Sequence, residues 1–334
     1  MNERFKIYKH VMNGFSYMIP FVVAGGLLIA MSSYGLLQNT FPYLGEVGEL
    51  LLTYTFPVLA GFIAFSIADR PGIAPGVAAG ALAFIGNSGF IGAILGGFLA
   101  GYTMELLKIV FKRLPRSLNS MKPILIFPFF GVLITALFML GVNFVISPFS
   151  IWLEETIIHL EGVPLLLTAL ILGALMAVDM GGPINKMAYM IGVISVVHGH
   201  QSILMAAIMA AGMIPPLAIA LSVFLFKRDY TEAERALGKN NWITGISFIT
   251  EGAIPFVKTY QHKIHLPIVI GSMLAAMLVT VFETSVPAPH GGLFVIFFMS
   301  SWWGFLISLS AGMVLSVLLM KVTKMLGDKN NETA

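Results

Sequence analysis

Val178-Asp179-Met180-Gly181-Gly182-Pro183-Ile184-Asn185-Lys186 places a carboxylate, an amide and an amine within eight residues of an otherwise apolar stretch. At membrane depth each ionisable group costs roughly 3 kcal/mol on insertion scales. Such groups persist where they face one another, a water-filled cavity or a polar ligand. The Gly-Gly-Pro between them ends a helix and frees backbone groups that lipid cannot satisfy but a protein-lined cavity can. The stretch reads as one wall of a polar binding site.

The surrounding chain is built for lipid. Of its 334 residues 57% are hydrophobic and only 10% charged, where a soluble domain has about a quarter charged. With roughly 20 apolar residues per crossing, there is room for about ten spans. The apolar runs are helical in length and lack the short alternation of a barrel. The predicted fold class is therefore an all-α integral membrane protein. It has about ten transmembrane helices, two re-entrant hairpins, a scaffold half and a substrate-transport half. The basic start at Met1–His10 leads into an apolar run without a cleavage site, so the first span is expected to direct insertion. Cysteine is absent, which excludes disulfides, thiolate metal sites and phosphocysteine chemistry on these residues. The net charge of +3 reflects topology, and no nucleic-acid surface is indicated.

The spans are read at about 15–37, 50–68, 73–89, 90–107, 123–147, 163–181, 184–199, 202–226, 265–285 and 302–324. Lys108, Lys112, Arg113, Arg116 and Lys122 form the densest basic loop, and Lys227, Arg228, Arg235 and Lys239 a second. Both fall inside if basic loops are cytoplasmic, and so do both termini. The acidic connection 147–162 is then external. Trp242–Val257, flanked by Lys239 and Lys258, is too short to cross and is expected to dip in and return. The segment 286–300 opens with Pro287-Ala288-Pro289-His290-Gly291-Gly292, which cannot be continuous helix. No internal repeat is evident. Residues 1–150, rich in close-packing glycines, read as a scaffold and dimerisation half; 151–334 holds the broken helices and reads as the substrate half.

Three stretches carry candidate chemistry. Asp179, Asn185 and Lys186 either pin a helix break through an internal Asp–Lys pair or present donors to a ligand; both can hold, with Asp179 partly neutralising Lys186. Thr250-Glu251-Gly252 lies in the first hairpin. There Glu251 either caps freed backbone amides or accepts hydrogen bonds from substrate hydroxyls, and it is placed to act as a base or hydroxyl-orienting group. His290, on a glycine-flanked tip, either bridges helices or faces the cavity. His198, His200 and Gln201 form a polar knot between two spans, with gating or plain placement at a helix end as rival roles. No nucleotide-binding motif and no metal-ligand spacing is found, so neither a cofactor nor a metal is expected.

These stretches, from Gly173 to Lys186, Phe248 to Phe256 and Ala288 to Phe294, resemble the signature of the fructose-family enzyme IIC of the bacterial phosphotransferase system. Ser66–Gly72 and Gly89–Tyr102 resemble it too, so five ordered blocks cover nearly the whole chain. The resemblance implies a homodimeric sugar permease of the bacterial inner membrane, surrounded by lipid. Its first half would form the dimer scaffold, and its second half would carry sugar as a moving unit. It implies that Glu251, and after it His290, contact the sugar. It also implies that phosphocysteine of a IIB component, itself supplied by IIA, phosphorylates the sugar in group translocation. Lacking cysteine, the chain is expected to work with separate IIB and IIA partners or with such domains removed. Val196–Ser202 departs from the fructose-specific pattern, which leaves a fructose-like hexose open. The rival classes are an ion-coupled secondary transporter of sugar or another polar solute, which also uses broken helices and midplane acids, and a membrane receptor without transport.

Overall fold

A computed structural model describes residues 3–32, 40–113, 115, 119–196 and 201–332. The described residues form thirteen α-helices joined by short 3-10 and π turns, without a named β-strand. Among the described residues seven helical stretches are long and apolar enough to cross a membrane: Ile7–Ser32, Leu44–Ala68, Gly89–Arg113, Lys122–Ile158, Ile203–Leu225, His262–Val281 and Trp302–Thr323. Arg70–Ile85 and Gly162–Val178 are apolar but shorter. The chain divides into two compact units, Met1–Leu28 with Gly35–Ile158, and Ile29–Tyr34 with His159–Ala334.

The first unit contains α1 (Glu3–Ser32) as far as Leu28, α2 (Leu44–Thr53), α3 (Thr55–Ala68), α4 (Ile73–Ile85), α5 (Gly89–Val110) and α6 (Phe127–Ile158). Small residues let these helices touch backbone to backbone: a Cβ on Gly76 of α4 would come within 2.8 Å of Ala60 O on α3. The α4–α5 turn is tied to α6 by a polar seam. Ser88 Oγ donates to Asn143 Oδ1 at 2.7 Å, Asn143 Nδ2 to Leu82 O at 3.0 Å and Ser150 Oγ to Ser88 O at 2.9 Å. Residues 86–88 make up this turn. The seam also carries α6 as helix to Ile158, through Pro148, where the sequence suggests a connection beginning at 147.

The second unit contains α7 (Gly162–Val178), α8 (Pro183–Ile194), α9 (Ile203–Leu225), α10 (Glu232–Ile246), α11 (Ile254–Tyr260), α12 (His262–Val281) and α13 (Trp302–Glu332). Its core is α9, apolar all round and buried nearly throughout. Pro215 and Pro216 lie inside this helix and lack the N–H groups that Ala211 and Gly212 carbonyls would otherwise receive. Side chains replace them: Ser272 Oγ donates to Ala211 O at 2.9 Å and Thr250 Oγ1 to Gly212 O at 3.2 Å. The proline pair therefore creates the two acceptors that anchor α12 and the 250–253 turn to the central helix.

Hydrogen bonds join the ends or flanks of both segments suggested as hairpins. Tyr260 at the end of α11 donates to Glu234 near the start of α10 at 3.1 Å. Ser300 N donates to Ser285 O at 3.0 Å, and Ser285 N to Ser300 Oγ at 2.9 Å, which closes the base of the 285–300 segment. Ser202 and Val286 exchange backbone hydrogen bonds of 3.0 and 3.1 Å, pinning that base to the start of α9.

Candidate polar binding site

The break between α7 and α8 is held open by its own polar side chains. Met180 and Gly181 take left-handed φ values of 46° and 106°, and Pro183 starts α8. A helix end leaves carbonyls without partners, and three nearby carbonyls are each taken. Asn185 Nδ2 donates to Met176 O at 2.6 Å, His265 Nε2 to Val178 O at 2.8 Å, and Lys186 Nζ to Gly181 O. At the opposite end Asp179 caps α8: its two carboxylate oxygens each accept at 2.8 Å, from Ile184 N and Asn185 N. The helix dipole and the charge-assisted bonds both favour a carboxylate there.

This geometry corrects the Asp179–Lys186 pair suggested by their proximity in sequence. Asp179 is committed to amides of the next helix, and Lys186 turns to Glu251, its Nζ lying 3.4 Å from Oε1. The lysine side chain is only 7% exposed and the glutamate 48%. A buried ammonium is thus balanced by a carboxylate with one side open. The close approach depends on glycine: a Cβ on Gly181 would lie 2.6 Å from Glu251 Cγ, Cδ and Oε1.

Glu251 sits on a one-turn 3-10 helix, Thr250–Ala253, between α10 and α11. Its position is set from three sides. Thr250 is tied to α9 as described, Ile249 N donates to Thr244 O at 2.8 Å, and Gly252 lies against Asn241 Oδ1 and Thr244 Oγ1. Phe248, buried with φ +61°, begins this turn. Its ring packs 4.9 Å from His290 and 5.9 Å from Tyr189. Tyr189 and His290 meet edge to face at 5.9 Å. Gly291 N donates to His290 Nδ1 at 2.8 Å, which leaves Nε2 as the donor of a neutral ring. Gly292, at φ +57°, packs its backbone against Ile246 O and Phe248 N, too closely for a Cβ.

Asp179, Asn185, Lys186, Thr250, Glu251, Gly252 and His290 therefore belong to one neighbourhood of the second unit, centred on the 246–252 turn. Within it Asp179, Asn185 and Thr250 are occupied by backbone groups. Glu251 Oε2 and His290 Nε2 have no partner shown among the described residues. Gln201 lies elsewhere, its Oε1 accepting from Ser285 Oγ at 2.6 Å at the base of the 285–300 segment. His198 and His200 fall outside the described residues. Three residues that the sequence did not single out join the neighbourhood: Phe248, Asn241 and Tyr189. Tyr189 had a signal, since it follows Asn185 by four residues and Lys186 by three and shares their helix face. The hydroxyl of Tyr189 and Nδ2 of Asn241 are buried without a hydrogen-bond partner among the described residues, which costs about 1–3 kcal/mol for each group.

Helices long enough to cross a bilayer, and broken ends whose polar groups gather at one interior place, define a multi-pass membrane protein with an internal polar site. Residues 12–260 match the family described as "Phosphotransferase system, EIIC", and the chain belongs to that family. It is 41% identical over 331 residues to the PTS system fructose-specific EIIABC component of Bacillus subtilis, covering 95% of this chain and 52% of that protein. It is also 41% identical over 291 residues to the fructose permease IIC component of Bacillus amyloliquefaciens, covering 86% and 94%. It is 34% identical over 351 residues to the fructose-like permease IIC component 2 of Escherichia coli, covering 100% and 96%. The chain thus spans about half the length of the first of these and nearly all of the other two.

Proposed function

We propose that this chain is the sugar permease component of a phosphoenolpyruvate-dependent phosphotransferase system, translocating fructose or a fructose-like hexose for phosphorylation by a IIB component. The names of the relatives support the sugar class and, through the fused proteins, the IIB partner. The observation that carries the reading is Glu251: a half-open carboxylate, balanced by a buried lysine, in a neighbourhood that also holds His290. Carboxylate acceptor and imidazole donor suit the paired donor and acceptor character of sugar hydroxyls. Glu251 grips one hydroxyl and orients it, or takes its proton, as it attacks phosphocysteine of the docked IIB. The 242–257 and 286–300 segments are re-entrant in this reading, which their closed bases favour. The protein makes about ten crossings of the bacterial inner membrane as a homodimer, with both termini cytoplasmic. Residues 1–150 form the scaffold, and the second half carries the sugar as a body. Basic segments 108–122 and 227–239 face the IIB partner.

The test is uptake of labelled fructose into vesicles with and without phosphorylated IIB, with the internal sugar assayed for phosphate. Phosphorylated sugar that appears only with the partner is the expected result, and Glu251→Gln lowers it by about a hundredfold or more. Uptake driven by an ion gradient, with the sugar left unphosphorylated, assigns the protein to the secondary transporters instead.

A further inference from the structure

Of the buried side-chain atoms without a partner among the described residues, the hydroxyl of Tyr189 differs in kind from those of Thr135 and Ser301. A threonine or serine hydroxyl on a helix rotates readily onto the carbonyl one turn back. A phenol hydroxyl lies beyond its ring and goes where the ring goes. The ring of Tyr189 is fixed edge to face against both Phe248 and His290, and the residue is 4% exposed. Phenylalanine fills the same space without burying an unsatisfied hydroxyl, so packing does not account for a tyrosine here.

Resting on the permease reading above, we propose that Tyr189 is a substrate-contacting residue that sets specificity, its hydroxyl bonding one particular hydroxyl of the sugar. Three features point this way. Tyr189 shares a face of α8 with Lys186, the ion partner of Glu251. It touches His290, the other group proposed to meet the sugar. The His290 ring beside it is held by aromatic contacts and accepts a hydrogen bond from its own neighbour Gly291, so among the described residues a ligand displaces His290 without breaking a side-chain hydrogen bond to another element. A phenol both donates and accepts, and it matches a hydroxyl better than it matches hydrogen or a methyl group. A site built this way rejects the analogue that lacks the partnered hydroxyl far more strongly than a packing contact does.

The experiment is calorimetric binding of D-fructose and its singly deoxygenated derivatives to the purified full chain, compared among the unmodified protein, Tyr189→Phe and Glu251→Gln. Tyr189→Phe is expected to melt at the same or a higher temperature than the unmodified protein and to bind fructose at least tenfold more weakly. One deoxy derivative alone is expected to bind both proteins equally, which marks the hydroxyl that Tyr189 meets. Fructose binding within twofold of the unmodified protein, or an equal loss across the whole deoxy series, overturns the assignment. Glu251→Gln separates the two levels: if it abolishes binding while Tyr189→Phe binds within twofold of the unmodified protein, the permease reading stands and the tyrosine assignment falls. Normal fructose binding by Glu251→Gln removes the reading of the site, and no fructose binding by the unmodified protein removes both.

Discussion

A carboxylate placed just before a helix has free amides within reach one turn into that helix, and this geometry outcompetes a lysine on the following turn. Asp179 therefore serves α8 as its cap, and the sequence shows only that an acid, an amide and an amine lie together. The partner of Lys186 stands 65 residues further on, a pairing no local pattern reveals. Replacing Asp179 with alanine removes two charge-assisted bonds and is expected to cost about 1–2 kcal/mol. Asparagine, which keeps one acceptor, is expected to cost less. Denaturation in detergent checks this order: were Asp179 an ion partner of Lys186, both substitutions would cost nearly the same. The residue identities of the site were largely legible, because Glu251 and His290 stand beside glycine and proline in apolar sequence. Tyr189 was less so: it shares a helix face with Asn185 and Lys186, yet an aromatic on an apolar helix looks like core until its hydroxyl is found without a partner among the described residues.

At the level of elements, proline signalled breaks unevenly. Pro183 and the Pro287–Pro289 pair do mark the ends of helix, yet Pro148 and the Pro215-Pro216 pair lie within α6 and α9. The difference is what receives the freed carbonyls. In α9 they are taken by Ser272 and Thr250 from other elements, which only the tertiary fold supplies, so the doublet joins elements instead of ending one. The 285–300 segment relies on glycine for its approach to the 246–252 turn. Alanine at Gly292 must adopt a left-handed φ and displace the Ile246 carbonyl, and it is expected to destabilise by about 2 kcal/mol while lowering sugar affinity. Alanine at Gly141, which has nothing within 4 Å of its Cβ position, is expected to be neutral or up to about 1 kcal/mol stabilising. Melting temperature and sugar binding of the two variants, measured side by side, distinguish close approach from a general glycine effect. An unchanged Gly292→Ala protein would refute the packing account of the tip.

The division of the whole molecule carries a mechanical consequence. The groups proposed to hold sugar all lie in the second unit, on segments that are tied to its core and to each other: Thr250 to α9, Gly292 to the 246–252 turn, and Val286 to Ser202. If sugar travels with this unit as a body, those ties persist through the transport cycle. The chain contains no cysteine, so an introduced pair is chemically unambiguous. Ser202 and Val286 exchange both backbone hydrogen bonds, an arrangement that sets Cα atoms about 5.5 Å apart, within the range a disulfide spans. The double variant Ser202→Cys, Val286→Cys is therefore expected to oxidise readily in vesicles and, once cross-linked, to retain most of its phosphorylation-linked uptake. Reduction should then change the rate little. Should the cross-link halt uptake, with reduction restoring it, the 285–300 segment must move against α9 during transport. The sugar would then be released by one hairpin opening within the unit rather than carried by the unit as a whole.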